Sequence, residues 1–359
     1  MTGQKAIIGA GCAGLSLARY IADSGISPPP IITDKDPRKR HDHIWGFWQT
    51  NWLGEACQTA TGRWHKWQIC DHNHSIIHHS HNHGYHAVKA SDWLSDCAAK
   101  LDKQGGRIQL SPLQEEGNTL YFDSRPPQVP SGTLLQHFIG QHIKTNKAVF
   151  APDTAILMDF RVDQSQGLHF IYLLPFSETE ALVESTLFTA QICPDSYYKD
   201  AIKRYLSAYY NLDKFDIQHE EKGAIPLIDL TPSKHQFAQN IIPIGAASGA
   251  LRPSSGYGFA SIQRQAKMIA ALLLAGKNPR PASPHRAFDL WMDRVFLSVL
   301  EKHPQKSPDL FIKMARAMTG DEFATFMSGI AGPKSYLKVI LAMPKWIFIR
   351  TAISVIWSR

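Results

Sequence analysis

The stretch Lys5-Ala-Ile-Ile-Gly9-Ala-Gly11-Cys-Ala-Gly14, continued by Leu15 to Ser24 and by Ile31-Ile32-Thr33-Asp34, decides the fold of this 359-residue chain. Residues 5–9 read as a short buried strand, Leu15 to Ser24 as a helix with apolar residues at helical spacing ended by Gly25, and residues 31–34 as a second strand. The glycines between them have separate tasks. Gly9 permits a tight turn, Gly11 lets the backbone approach a pyrophosphate, and Gly14 lets helix and strand pack closely. The helix N-terminus then offers free N–H groups and a positive dipole end to phosphate. Asp34, twenty residues after Gly14, suits a ribose hydroxyl. A single Gly-rich turn in an ordinary α/β protein is the plain alternative, but strand, glycines, helix, strand and acid together predict a Rossmann-type βαβ unit that binds a dinucleotide. The motif alone does not separate FAD from NAD; its place at the start of a long chain favours FAD.

Composition sets the frame. Hydrophobic residues make up 44% and charged residues 19% of the chain, which describes an ordered globular protein with a sizeable core. The formal charge of +7 is moderate, with one basic cluster at Lys35, Arg38, Lys39 and Arg40. That cluster is either a solvated surface or an attraction to anionic lipid headgroups. No basic stripe interleaves with aromatics, so nucleic acid is not an expected partner. Five cysteines (Cys12, Cys57, Cys70, Cys97, Cys193) form no CxxC and fit a reducing, cytoplasmic setting. Neither a signal peptide nor a transmembrane helix is expected.

The expected class is α/β: a Rossmann-like FAD-binding domain with an inserted antiparallel β-sheet substrate domain and C-terminal helices. FAD-binding segments are expected at 1–70, 101–150 and 221–278. Substrate-domain segments are expected at 71–100 and 151–220, and a helical part, possible at a membrane, at 279–359. Ser91 reads as the N-cap of a helix to Leu101. Residues 134–143 read as strand, as do Tyr172–Pro175, Ala181–Glu184 and Thr186–Phe188; Tyr197–Tyr210 reads as helix. Late in the chain, strand Ile241–Gly245 leads into a Gly- and Ser-rich loop, Gly249 to Gly258, and a helix, Ile262–Leu274. Residues 337–357 are apolar but interrupted by Lys338, Pro344, Lys345 and Arg350, with Trp346, Phe348 and Trp357 beside the cations. Both an interfacial helix lying in a headgroup layer and a terminal helix packed on the core fit this pattern. His72, His74, His78, His79, His81, His83 and His86 suggest a metal site, but their spacing resembles exposed strand positions and completes no ligand set, so no metal is expected.

A series of short motifs now carries a family resemblance. They are Asp42-His-Ile-Trp45-Gly-Phe47-Trp48, Phe122-Asp123-Ser124-Arg125-Pro126, Gln136-His137-Phe138-Ile-Gly140, Met158-Asp159-Phe160-Arg161, Leu174-Pro175-Phe176-Ser177, Ala181-Leu-Val-Glu184 and Arg252-Pro253-Ser254-Ser255-Gly256-Tyr257-Gly258-Phe259. In this order they resemble the lycopene cyclases, the FAD-dependent carotenoid ring-closing family, of the bacterial lycopene β-cyclase type. Two positions depart from the family pattern: Gln49 stands where members usually carry an acid, and Ser185 follows Glu184 where members often carry an acid or Tyr.

The resemblance implies a non-redox cyclisation of the ψ end groups of lycopene, or of other acyclic carotenoids, to β-rings. A proton is added, a carbocation closes the ring, and a proton is lost. Reduced FAD would be the active cofactor form, with NAD(P)H serving only to reduce it. It assigns acid–base work to Glu184, whose place among apolar strand residues favours a neutral, proton-donating carboxyl; an exposed strand glutamate is the plain reading. Gly9, Gly11, Gly14, Asp34, Arg125, Gly245, Pro253, Ser254, Gly256 and Tyr257 are the expected cofactor contacts. Trp45, Phe47, Trp48 and Asp159 are substrate candidates, with core packing, and for Asp159 an Arg161 pair, as alternatives. The expected setting is cytoplasmic at a membrane surface. Two other functions remain open: an FAD-dependent monooxygenase or dehydrogenase acting on another hydrophobic isoprenoid, and a non-catalytic carotenoid carrier.

Overall fold

A computed structural model of the chain describes residues 4–34, 42–109, 119–231, 240–280 and 282–357. The basic cluster at Lys35, Arg38, Lys39 and Arg40 lies outside the described residues. Five short strands build a parallel sheet: β1 (Lys5–Ile8), β2 (Ile31–Thr33), β8 (Arg107–Gln109), β9 (Leu120–Asp123) and β15 (Ile241–Pro243), in the order β15-β9-β1-β2-β8. Ile7, Ile32 and Phe122 are wholly buried, as a parallel sheet covered on both faces requires. Helix α1 (Cys12–Asp23) follows β1 and packs against α3 (Ala90–Lys103) and α5 (Phe259–Leu274).

The fingerprint turn has the geometry its glycines require. Gly9 sits at φ +94°, and a Cβ on Gly14 would lie 1.9 Å from the Gly9 carbonyl oxygen. Helix α1 begins at Cys12 rather than Leu15, because Gly11 already serves as N-cap. Ser91 is not a cap: α3 begins one residue earlier, after Lys89, and no side chain caps it. The Ser91 amide instead donates to Asp42 Oδ1 at 3.2 Å.

Seven strands form the second sheet. They are β5 (Lys66–Cys70), β6 (Ser75–His79), β10 (Leu135–Lys144), β11 (Thr154–Asp159), β12 (Leu168–Pro175), β13 (Glu180–Thr189) and β14 (Asp216–Pro226), in the order β14-β10-β13-β12-β11-β5-β6. Neighbours run antiparallel except β11 and β5, which are parallel. Residues 181–184 and 186–188 belong to one continuous strand, β13. The sheet also recruits β5 and β10 from segments expected on the nucleotide side. Strand β10 pairs with β13 over ten residues, a match that the three- and four-residue strands of the parallel sheet do not offer. A third sheet, β3 (Ile44–Trp48), β7 (Tyr85–Lys89) and β4 (Gly62–Trp64), ordered β3-β7-β4, joins the two larger ones; the short helix α2 (Gly54–Thr59) lies between β3 and β4 in the chain.

Alternation along the large sheet decides what faces the site. On one face Ile143, Ile171, Leu173 and Val183 pack with Ile202, Tyr205 and Leu206 of α4 (Asp195–Tyr210). The opposite face, with Phe170, Leu174, Leu182 and Phe188, packs under the C-terminal helices α6 (Ala287–Lys302), α7 (Ser307–Ala317), α8 (Gly320–Met327) and α9 (Pro333–Ala342). The apolar run 337–357 is not one helix. It breaks at Pro344, which lacks an amide and cannot continue α9, and α10 (Lys345–Trp357) leaves at 115°. No single helix among the described residues is long and apolar enough to cross a membrane.

The two fingerprint glycines should separate by stability. Gly14→Ala drives a methyl into the Gly9 carbonyl and should destabilise the fold by about 1–3 kcal/mol. An added Cβ at Gly11 meets nothing within 4 Å, so Gly11→Ala should stay within about 0.5 kcal/mol of the parent. Denaturant unfolding of both variants tests this.

Candidate active site

Four positions line up across adjacent strands on the helix-covered face of the large sheet: Tyr172 on β12 opposes Glu184 on β13, Glu184 opposes Gly140 on β10, and Gly140 opposes Glu221 on β14. Side chains at opposed positions point the same way, so two carboxyl groups face each other across a residue that has none. Both are buried, Glu184 at 7% and Glu221 at 5% exposure. A Cβ on Gly140 would crowd Glu221 Cγ at 3.0 Å and Leu182 Cδ1 at 3.0 Å. Burial raises the Glu184 carboxyl to about 7, opposed by a hydrogen bond from the Thr186 hydroxyl to Oε1. Glu221 is raised well above the carboxylate range by burial and by the Glu184 charge; the Ile44 amide, donating to Oε2 at 2.8 Å, works the other way. Among the described residues no Lys or Arg pairs with either carboxyl; His43 Nδ1 lies 4.0 Å from Glu221 Oε2.

Glu184 opens into a cavity of about 380 Å³ between the large sheet, β3, the loop after residue 252 and the C-terminal helices. Its walls are mainly apolar and aromatic, including Trp45, Trp48, Phe138, Phe170, Phe188 and Phe323. The Tyr85 hydroxyl bonds those of Tyr172 and Tyr257 at 2.9 and 3.0 Å. Burial raises all three phenols well above their ordinary range, so they are neutral. Gly46 makes their meeting possible: a Cβ there would lie 2.0 Å from the Tyr85 hydroxyl oxygen. Trp48 meets Tyr85 and Tyr257 with ring centroids 4.8 and 5.3 Å apart. A wider surface depression of about 550 Å³, between Asn73–His79 and Ala315–Gly320, is shallow and lies elsewhere.

The nucleotide end fits an anionic ligand. No side chain caps α1 and no acid lies in its first turn, while the space beside Gly11 is open. Asp34 stands at the end of β2 facing the turn, where Oδ2 accepts from the Ala10 amide at 2.6 Å. Gly245, at φ +65°, abuts α1, with its ideal Cβ 2.7 Å from the Ala13 Cβ. The 252–258 loop is pinned by a buried pair, Arg252 Nε to Asp293 Oδ2 at 2.7 Å, and by Ser254 Oγ donating to Asp293 Oδ1 at 2.8 Å. Pro253 is buried in that loop, and Ser254, Gly256 and Tyr257 border the cavity. Buried Trp48 Nε1, Gln136 Oε1 and Ser255 Oγ have no protein partner, and all three residues border the same cavity. Unpaired buried polar atoms converging on one space are what a polar ring system would satisfy.

Other expected residues fall elsewhere. Asp159 is on the α4 face, fully buried, accepting from Arg161 and, at 2.6 Å, from Tyr205; it holds structure, while its neighbour Met158 borders the cavity. Phe47 points away from Glu184 into the nucleotide-side core, its ring tilted 34° against Phe259 with centroids 5.1 Å apart. Arg125 is exposed at the end of β9, forked on Asp123 at 2.9 and 2.6 Å, next to Ser124, which donates to the Ile8 carbonyl. The histidines are not a row of exposed strand positions: His78 and His86 are buried, the former with Nε2 2.9 Å from the Ala315 carbonyl oxygen. Among the described residues no three His, Cys, Asp or Glu are placed to hold a metal.

Residues 116–352, spanning the carboxyl row and the pinned loop, match the family model described as lycopene cyclase protein. The chain belongs to the lycopene cyclase family. Relatives of this cyclase-family chain include a lycopene beta-cyclase from a Paracoccus species, 30% identical over 50% of the chain and 47% of that protein. A lycopene beta cyclase from Synechococcus elongatus is 24% identical over 89% and 85%. Among solved structures, a geranylgeranyl bacteriochlorophyll reductase-like protein from Thermoplasma acidophilum superposes with TM-score 0.64 at 14% identity, covering 98% and 99% of the two chains. The Klebsiella pneumoniae protein HpxO, complexed with FAD, gives 0.56 at 13% identity over 95% and 99%. These establish the Rossmann-type fold of the cyclase-family chain.

The raised Glu184 carboxyl has a thermodynamic signature. The folded state keeps its proton to about 7, against an ordinary 4.5, so unfolding releases a proton between those values and stability falls as pH rises through that window. Glu184→Gln should remove this falling contribution, which runs against the rising one from half-buried His142 and buried His169, each lowered to about 4 from an ordinary 6.5. The variant's stability should therefore fall less, or rise more, between pH 4.5 and about 7 than the parent's; denaturant unfolding at a series of pH values reads the difference in slope.

Proposed function

We propose that this chain is a lycopene β-cyclase that uses reduced FAD to close the ψ end groups of lycopene into β-rings without net redox change. The observation that carries the reading is Glu184: a carboxyl held protonated by burial in an apolar, aromatic cavity of a lycopene cyclase family chain. Thr186 donates to Oε1, which leaves Oε2 to carry the proton. Oε2 delivers that proton to the terminal double bond. The tertiary cation is attacked by the neighbouring double bond, a carbon–carbon bond closes the ring, and the Glu184 carboxylate takes a ring proton back. Trp45, Trp48, Tyr172 and Tyr257 offer π faces to the positive charge. Glu221, across Gly140, is kept neutral by burial and by the Glu184 charge, so it places no second carboxylate beside the reacting group.

Gly9, Gly11, Gly14 and the α1 N-terminus would hold the FAD pyrophosphate, and Asp34 would accept from a ribose hydroxyl. Gly245 and the loop of Pro253, Ser254, Gly256 and Tyr257, with Gln136 and Ser255, would hold the ring system, and Arg125 would contribute from the end of β9. Bound reduced flavin would supply negative charge to the cavity, and NAD(P)H would serve to keep it reduced. The protein lies peripherally on a membrane, where its substrate dissolves. The support is the surface of α9 and α10: Leu337, Leu341, Ile353, Trp346 and Trp357 are exposed, the two tryptophans above 80%, with Lys338, Lys345 and Arg350 among them.

Anaerobic incubation with FAD, NADPH and lycopene in liposomes should give cyclic carotenoid with far less than one NADPH oxidised per ring. Stoichiometric consumption of NADPH, or turnover that begins only when O₂ is admitted in a parallel aerobic incubation, would instead favour an oxidoreductase, and lycopene bound but unchanged both with and without O₂ a carrier. Glu184→Gln should lower cyclisation about 10²–10⁴-fold while FAD stays bound. Trp346→Ala combined with Trp357→Ala should weaken sedimentation with liposomes and leave FAD content unchanged.

A further inference from the structure

A second cavity, of about 230 Å³, lies among α6, α7, α9 and α10, apart from the carboxyl groups. Its lining is almost wholly apolar: Met292, Phe296, Met314, Met343, Phe348 and Ala352 are representative. The exceptions are Trp291 and the set Arg252, Asp293, Ser254 and Ser255, of which Arg252 and Ser254 are spent on Asp293 at 2.7 and 2.8 Å. An apolar cavity of this size forfeits packing along its walls unless something fills it. It has two ends. At one, Ser254, Ser255, Phe311 and Met327 border this chamber and the Glu184 cavity alike. At the other, Ile340 and Ile349 border the chamber and are also exposed to solvent, at 44% and 51%, beside the other exposed apolar residues of α9 and α10.

We propose that this chamber is a second substrate site, which holds the polyene chain behind the reacting end group and admits it between α9 and α10. The inference rests on the cyclase reading for the identity of its occupant. A linear, rigid polyene with one end at Glu184 must leave the reaction cavity. On the Glu184 side the way is closed by continuous strand pairing of β12, β13, β10 and β14. On the opposite side the wall is shared with the chamber and contains Met327, a flexible side chain suited to adapting around a chain. The bend at Pro344 holds α10 away from the line of α9, with the chamber between them. The occupant is therefore an extended hydrocarbon, which the mainly apolar lining suits.

The test fills the chamber from its outer helix. Ala352→Leu and Ala352→Trp would be made in the full-length flavin-loaded protein, which is then given lycopene or a short acyclic isoprenoid with the same end group that fits the reaction cavity alone. Lycopene turnover should fall stepwise, at least tenfold for Ala352→Trp, while turnover of the short substrate changes less than twofold. Equal losses on both substrates, or none on lycopene, would overturn the proposal. A binding arm separates it from the parent reading. In a Glu184→Gln background, Ala352→Trp should raise the lycopene dissociation constant at least tenfold; an unchanged constant overturns the chamber. Parent protein that binds lycopene but does not cyclise it would overturn the cyclase reading instead.

Discussion

Two carboxyl groups, Glu184 and Glu221, are buried on the same sheet face with only Gly140 between their strands. An ionised carboxylate out of water is costly unless paired, and two at once repel. Among the described residues no Lys or Arg pairs with either, so the pair is held with protons on it, and the surrounding structure must be dry enough to keep it so. That requirement explains the glycine. Any side chain at position 140 would stand between the two carboxyls, and even a methyl would press on Glu221 Cγ. It also explains the single donors. Thr186 and the Ile44 amide each satisfy one oxygen without bringing a charge.

Dryness comes from the way the chain is woven. It leaves the parallel sheet after β2, builds β3 to β7, returns through α3, β8 and β9, crosses again to β10–β14, and comes back for β15 and α5. Each crossing lays one wall of the cavity. Strand β3 contributes Gly46 and Trp48, β7 contributes Tyr85, the large sheet contributes Tyr172 and Glu184, and the loop ahead of α5 contributes Tyr257. The three phenols converge only because Gly46 leaves room for the Tyr85 hydroxyl. The buried Arg252–Asp293 pair then fixes the loop to α6. Such a pair contributes little net stability when whole, but breaking it is costly, which suits it to holding one arrangement.

What the sequence disclosed and what it withheld follow from distance along the chain. The nucleotide turn is local: Gly9, Gly11 and Gly14 interact within six residues, so spacing alone revealed it. Glu184 was legible through its apolar neighbours and the family motif around it. Glu221 was not, because its role depends on strands β10, β13 and β14 being in register, and register between residues 140, 184 and 221 is a tertiary outcome. Tyr85 and Tyr172 are hidden for the same reason. Asp159 shows the opposite failure. It carries an attractive carboxylate within a family motif, yet a register shift between Ile156 and Asp159 puts Leu157 and Met158 both on the cavity side and Asp159 behind them, where Arg161 and Tyr205 occupy it. The reading of Ser91 as a cap failed because α3 is entered directly from β7, at Lys89.

The arrangement has an electrostatic consequence for the chemistry it is proposed to serve. Moving a proton from a neutral carboxyl to a neutral alkene creates a carboxylate and a carbocation together, so the net charge inside the cavity does not change. In a low-dielectric site the two opposite charges attract strongly, and that attraction offsets much of the cost of forming them. The same event in a cavity that already held a free carboxylate would risk trapping the cation as an ester. Glu221, raised well above the carboxylate range by burial and by the Glu184 charge, stays protonated while Glu184 reacts. The phenols are kept neutral by burial, and the central one is engaged by hydrogen bonds on both sides, which blunts them as nucleophiles. What remains exposed to the cation is mainly π surface and aliphatic wall, so ring closure has few competitors, and the same carboxylate that gave the proton is placed to take one back.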